Sequence, residues 1–123
     1  MIKAPRKIRS HKDLDVWQKA MDFVVDVYAI TKEFPEIEKF GLVTQMRRAA
    51  ISISSNIAEG AGRKGNKEFI QFLYIALGSL VEVETQIEIA YRLSYVSDSD
   101  HYNTKIIEIR RMLIGLIKYL KQR

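Results

Sequence analysis

The sequence predicts an all-α fold, an antiparallel up-down-up-down four-helix bundle. Three observations carry this expectation. Apolar residues recur at helical spacing in four successive segments, and no strand-like alternation competes with them. The connections between the segments are short, which favours antiparallel neighbours. Charge also alternates along the chain: residues 13–40 carry −4, 41–67 carry +4, 68–103 carry −5 and 104–123 carry +5. In a square bundle every neighbouring pair then has opposite sign, and the two basic helices lie on one diagonal. An exposed ion pair contributes under about 1 kcal/mol. The alternation therefore selects a topology more than it adds stability.

The first helix is expected from Asp13 or Asp15 to Glu33, with an aspartate as N-cap. Its seam is Trp17, Ala20, Met21, Val24, Val27, Tyr28 and Thr31, widened by Val16, Phe23, Ile30 and Phe34 to nearly half the circumference. Phe34-Pro35 ends it. After a loop over residues 36–41 comes the second helix. Leu42, Met46, Ala49, Ala50, Ile53 and Ile57 fall on one arc, and Gln45, Arg48, Ser52, Asn56 and Glu59 on the next. A core strip thus runs beside a strip of hydrogen-bonding groups. Gly60 and Gly62 read as the stop, and Arg63, Lys64 and Lys67 follow in a basic turn.

Asn66 is placed to cap the third helix, which runs to about Tyr95 on a seam of Phe69, Phe72, Leu73, Ala76, Leu80, Val83, Ile87 and Ala90. Ser97-Asp98-Ser99-Asp100 is a turn with a ready N-cap. The fourth helix continues to near the end through Tyr102, Ile106, Ile109, Leu113, Leu116, Ile117 and Leu120. Some apolar residues exceed the needs of a core. Ile70, Tyr74, Leu77 and Val81 form a second stripe on the third helix, and Ile51 and Ala58 sit opposite the core strip of the second. A contiguous second stripe points to an interface, so a homo-oligomer is expected, with these six residues in its contacts.

At 123 residues the chain is expected to be one domain, a bundle over residues 13–123 behind a flexible tail over 1–12. The tail carries Lys3, Arg6, Lys7, Arg9 and Lys12 with no acid, which accounts for the whole net charge of +5. With no cysteine, disulfides and thiolate metal sites are excluded, and a cytoplasmic location is the simplest expectation. No apolar run has signal-peptide or membrane-spanning length. The longest, Phe69 to Val83, is broken by Gln71, Gly78, Ser79 and Glu82.

Catalytic patterns are missing. Neither His11 nor His101 belongs to a ligand cluster by spacing, and no Glu-x-x-His pair suggests a two-metal bundle. Glu82 faces away from Glu88, so that acidic run reads as a solvated face. The loop from Gly60 to Gly65 resembles a phosphate cradle in composition only. It follows a helix rather than a strand, and a helix C-terminus repels anions. No metal, cofactor or reaction is expected. Arg47 and Arg48 point about 100° apart. Arg48 joins the polar strip and is expected to bond, within or between subunits, Glu59 or a carboxylate of the third helix. Arg47 is expected to face outward as a phosphate contact. For Asn56, a cap or bridge inside the bundle is the preferred reading.

Leu14-Asp-Val-Trp17-Gln-Lys-Ala20, Gln45-Met-Arg-Arg-Ala-Ala50, Asn56-Ile-Ala-Glu-Gly60, Arg63, and Ala76-Leu-Gly-Ser79-Leu-x-Glu82-x-Glu84 together resemble the bacterial four-helix bundle proteins of the 23S rRNA intervening-sequence type. The resemblance spans residues 13–120 in order, with short gaps, and leaves out the basic tail. It implies a left-handed bundle. It also implies a ring-shaped homopentamer, as in the related accessory proteins of diversity-generating retroelements, which bind structured RNA and a reverse transcriptase. It implies no enzymatic activity.

The expected function is therefore a non-catalytic scaffold binding structured RNA or other nucleic acid through phosphate contacts. The candidate contacts are Arg47, Arg63, Lys64, Lys67, Arg110, Arg111, Lys118 and Lys121, with Lys3, Arg6, Lys7 and Arg9 of the tail. Gln45, Arg48, Ser52, Asn56 and Glu59, with Ser79 and Glu82 of the third helix, form a polar strip expected to bond within or between subunits. The alternative is an adaptor that holds another protein, for example a reverse transcriptase or other nucleic-acid enzyme, and has no direct role with nucleic acid.

Overall fold

A computed structural model describes residues 10–123, and four helices form its body: α1 (Asp15–Thr31), α2 (Leu42–Ala61), α3 (Asn66–Arg92) and α4 (Asp100–Lys121). No strand occurs among the described residues. Lys3, Arg6, Lys7 and Arg9 lie outside them. Structured backbone is already present ahead of residue 13. Ser10 and Asp13 close a capping box around a short 3-10 turn, His11–Asp13, and the His11 ring meets the edge of Trp17 at 4.9 Å.

The N-cap of α1 is Leu14, which makes no side-chain cap bond, rather than an aspartate. Asp15 instead sits in the first turn, where a negative charge suits the helix dipole. The seam of α1 is also rotated from the expected one. Val16, Ala20, Phe23, Val27 and Thr31 are buried, while Met21 and Tyr28 are exposed. The stripe on this helix is wide enough that its centre falls where α2 and α4 need bulk, and Phe23 supplies more than Met21.

Gly60 does not stop α2; it lies inside the helix and is buried. A Cβ there would stand 2.8 Å from both Phe69 Cδ1 and Phe72 Cβ, so only glycine lets α3 come this close. The helix ends one residue later at Ala61, with Gly62 as C-cap. Asn66 does not cap α3 either. Gly65 occupies that position, and Asn66 Nδ2 donates to Leu120 O at 3.3 Å, tying the start of α3 to the end of α4. α3 stops at Arg92, three residues before the expected Tyr95. Ser94 then takes a left-handed φ of 64°, and Tyr95 N donates back to Ala90 O at 2.9 Å. Asp98, not Ser99, supplies the side-chain cap of α4, accepting from Asp100 N at 2.9 Å.

Packing follows the expected square. α1 and α3 each lie against α2 and α4, and the backbones of neither diagonal pair come close together. The basic helices α2 and α4 are therefore diagonal. Cross-helix partners run antiparallel: Thr31 with Arg47, Ser52 with Ser79, Glu84 with Arg110, and Asp26 with Lys105. Phe23, Met46, Ile53, Ile57, Leu73, Leu80, Ile87, Ile106, Ile109 and Leu113 fill the centre.

Two opposite sides of the square are left greasy. On the α1–α2 side Met21, Val25, Tyr28 and Ile51 are exposed; on the α3–α4 side Tyr74, Val81, Ile107 and Ile114 are. The second stripe of α3 is thus only partly free, since Ile70 and Leu77 pack against the core. Ala58 is half-buried.

Candidate nucleic-acid interface

Antiparallel packing gathers the start of α1, the α2–α3 loop and the end of α4 at one end of the bundle. The Asn66–Leu120 bond fixes the last two together. Lys12, Arg63, Lys64, Lys67, Lys118, Lys121 and Arg123 come from these segments. Arg63, Lys64 and Lys67 line a shallow pocket of about 450 Å³ with Gly62, Gly65 and Glu68. Arg63 is steadied by Glu59 at 3.8 Å and by the Phe72 ring at 5.0 Å. Lys121 Nζ donates to Tyr74 Oη at 3.1 Å. Lys64, Lys67 and Lys118 are exposed and have no partner among the described residues. Exposed lysines lose little by meeting a phosphate instead of water.

The other expected contacts are not gathered here. Arg47 does not face outward. It is half-buried, its Nε donates to Thr31 Oγ1 at 2.9 Å and its Nη2 to Tyr28 O at 3.4 Å, and its guanidinium stacks on the Tyr28 ring at 4.3 Å. The carbonyls at the C-terminus of α1 attract a cation, and a long side chain reaches back to them. Arg110 is likewise engaged, donating to Glu84 Oε1 at 2.8 Å. Arg111 is exposed on the flank of α4, away from the basic end.

The polar strip of α2 meets α3. Ser52 Oγ and Ser79 Oγ share a hydrogen bond of 2.8 Å, and Asn56 Nδ2 donates to Ser52 O at 2.8 Å and to Ser52 Oγ at 3.0 Å. Asn56 thus bonds within its own helix, to the serine that meets α3. Gln45 and Arg48 are exposed, and Arg48 bonds neither Glu59 nor any other described residue. Glu59 faces Arg63 on its own chain segment instead. Glu82 accepts from Gln86 Nε2 at 3.4 Å.

Gln86 was not singled out from the sequence. It is buried, and its Oε1 has no partner among the described residues. The signal was present: Ser79, Glu82 and Gln86 repeat at helical spacing along one line of α3. No group of three or more His, Cys, Asp or Glu among the described residues is arranged to hold a metal ion. No described helix is long and apolar enough to cross a membrane.

Comparison with known proteins accords with this architecture. The family model for the 23S rRNA-intervening sequence protein matches residues 12–115. A crystal structure at 1.70 Å resolution, of a protein of unknown function from the S23 ribosomal protein family of Bacteroides thetaiotaomicron VPI-5482, is similar with a TM-score of 0.74. The two chains are 30% identical, over 84% of this chain and 98% of that one. Among curated proteins there is no match.

Proposed function

The chain belongs to the 23S rRNA-intervening sequence protein family, and on that premise we propose that it is a non-catalytic, oligomeric scaffold that binds structured RNA through its basic end. The observation that carries this reading is the set of unpartnered lysines, Lys64, Lys67 and Lys118, standing beside Arg63, Lys121 and Arg123 at one end. Such a cluster grips phosphates with steep salt dependence and little base selectivity. The rings nearest the cluster, Phe72, Tyr74 and Tyr119, are each covered by a cation of this end, Arg63, Lys121 and Arg123, rather than left open for base stacking, which favours folded or double-stranded RNA over single strands. The cysteine-free sequence favours a reducing, cytoplasmic setting.

Self-association is part of the proposal. Two apolar sides on opposite faces of a square bundle suit a head-to-tail contact, and a ring of five is what the family resemblance implies. A ring would repeat the basic end around an axis and multiply its field. Light scattering is expected to give five times the 14.3 kDa subunit mass.

Titration with a structured RNA at two salt concentrations tests the central claim. Affinity is expected to fall steeply with salt, and the Lys64→Glu/Lys67→Glu variant to lower the log–log salt slope by about two. Absence of binding even at low salt ends the proposal.

A further inference from the structure

Ile37 and Phe40 are 86% and 88% exposed, more than any other large apolar side chain described. Burying such a side chain is worth about 1.5–3 kcal/mol, and this fold leaves two of them in water within four residues. The loop that carries them is firmly braced. Glu36–Glu38 is a 3-10 turn, and Glu38 N donates to Pro35 O at 2.9 Å. Glu38 spans two elements, accepting from Tyr95 Oη at 2.8 Å and from Leu42 N at 3.3 Å. Phe34 is buried against the Tyr95 ring at 5.3 Å, and Thr44 Oγ1 donates to Lys39 O at 2.7 Å. A preformed apolar knob loses little entropy on docking.

Its surroundings are acidic. The two loops at this end, residues 32–40 and 93–100, carry Glu33, Glu36, Glu38, Asp98 and Asp100 against Lys32 and Lys39, a net charge of −3. Arg47, which lines the groove beside Glu36 and Lys39, reduces this excess to −2, which still disfavours nucleic acid and anionic lipid. A second copy of this chain offers a cleft on its flank, lined by Thr104, Ile107, Glu108, Arg111 and Met112, where Glu108 would meet the acidic loops. The complement is a protein with an apolar cleft and a cationic rim.

We propose that the α1–α2 loop is a docking knob for such a heterologous protein, with Ile37 and Phe40 seated in its cleft and Glu33 and Glu36 facing its cationic rim. The knob lies at the opposite end from the lysine cluster, about 25 Å away along a 17-residue helix. It therefore stands or falls separately from RNA binding.

Photocrosslinking in cells tests it, with Phe40→p-benzoylphenylalanine in the full chain. The expected product is one defined protein adduct, whose crosslinked peptide carries apolar residues flanked by Lys or Arg. Its yield is expected to fall about tenfold with Glu33→Lys/Glu36→Lys, a variant whose folding circular dichroism verifies. It is expected to be unchanged by Lys64→Glu/Lys67→Glu. Adducts only with nucleic acid, lipid or another copy of this chain would overturn the proposal. So would a yield no higher than that from Ser55→p-benzoylphenylalanine, or one indifferent to the charge reversal.

Discussion

Between α2 and α3 the contacts are short and made by small groups. Gly60 lies against Phe69 and Phe72, Ser52 bonds Ser79 at 2.8 Å, and Asn56 folds onto Ser52. Between α1 and α4 they are made by long, charged side chains. Lys19 reaches Glu108 at 3.3 Å, and Lys105 meets Asp26. A cavity of about 210 Å³ lies among those residues, with Asp22, Phe23 and Ile109 completing its wall. The first seam is set by backbone approach, so an added atom has nowhere to go. The second is set by partly exposed charges, so water and salt can replace much of what a mutation removes. Two antiparallel pairs in one bundle thus differ in what they tolerate.

The largest effect is expected at Gly60. Alanine is better than glycine inside a helix by about 1 kcal/mol, so an open site would gain stability from Gly60→Ala. Here the new Cβ would stand 2.8 Å from two side-chain atoms and 3.2 Å from Phe69 O, which is backbone and cannot move aside cheaply. We expect Gly60→Ala to lose about 1–2 kcal/mol net and Gly60→Leu to lose at least about 3 kcal/mol. Urea unfolding at one fixed protein concentration reads both. A neutral Gly60→Ala would mean that α2 and α3 are not locked by close approach.

Asp26→Asn probes the other seam and is expected to cost under about 1 kcal/mol, because its ion pair with Lys105 is about a third exposed. The difference from the parent chain should shrink further in about 1 M salt, where the screening length is about 3 Å. The loss at Gly60 should not shrink. Equal salt responses at the two sites would erase the distinction between the seams.

The sequence made the four helices and their diagonal charge legible because both are periodic. What it hid was direction. Arg47 and Arg48 are separated by one residue step on a wheel, yet the inner and outer roles are exchanged. Arg47 bends back to Tyr28 and Thr31, and Arg48 stands free of described partners. A wheel gives where a side chain leaves the helix, not where a long one ends. Gly60 was legible as unusual but not as a crossing point, since its reason lies in Phe69 and Phe72 of the next helix. The rotation of α1 has a similar cause. Val16, Phe23, Trp17 and Met21 are all apolar, so the neighbours decide which of them turns inward. Of the candidate site, the lysines of the α2–α3 loop and of the α4 end were legible individually. Their meeting at one end followed from antiparallel order, and Arg110 was lost from the set to Glu84.

The smallest effect is the most specific to the charged seam. Tyr102 sits half-buried at the start of α4, and its phenol is held above the ordinary 10.0. Burial is the main cause. Asp26 and Asp98 add to it by disfavouring a second negative charge, while Lys105 opposes them. The folded chain therefore holds this proton more tightly than the unfolded chain does. Its contribution to stability is complete below the unfolded value and is lost as pH rises through the higher folded value. Asp26→Asn removes one raising charge and leaves Lys105 unopposed by it, so the titration midpoint should move down. Ring-carbon NMR of labelled tyrosine, with Tyr102→Phe to assign the signal, measures the midpoint directly. Because burial persists in the variant, the fall should stop short of 10.0. A midpoint that does not move would mean that Asp26 is too well solvated to act on Tyr102. The α1–α4 groove would then be open water rather than a seam held by charge.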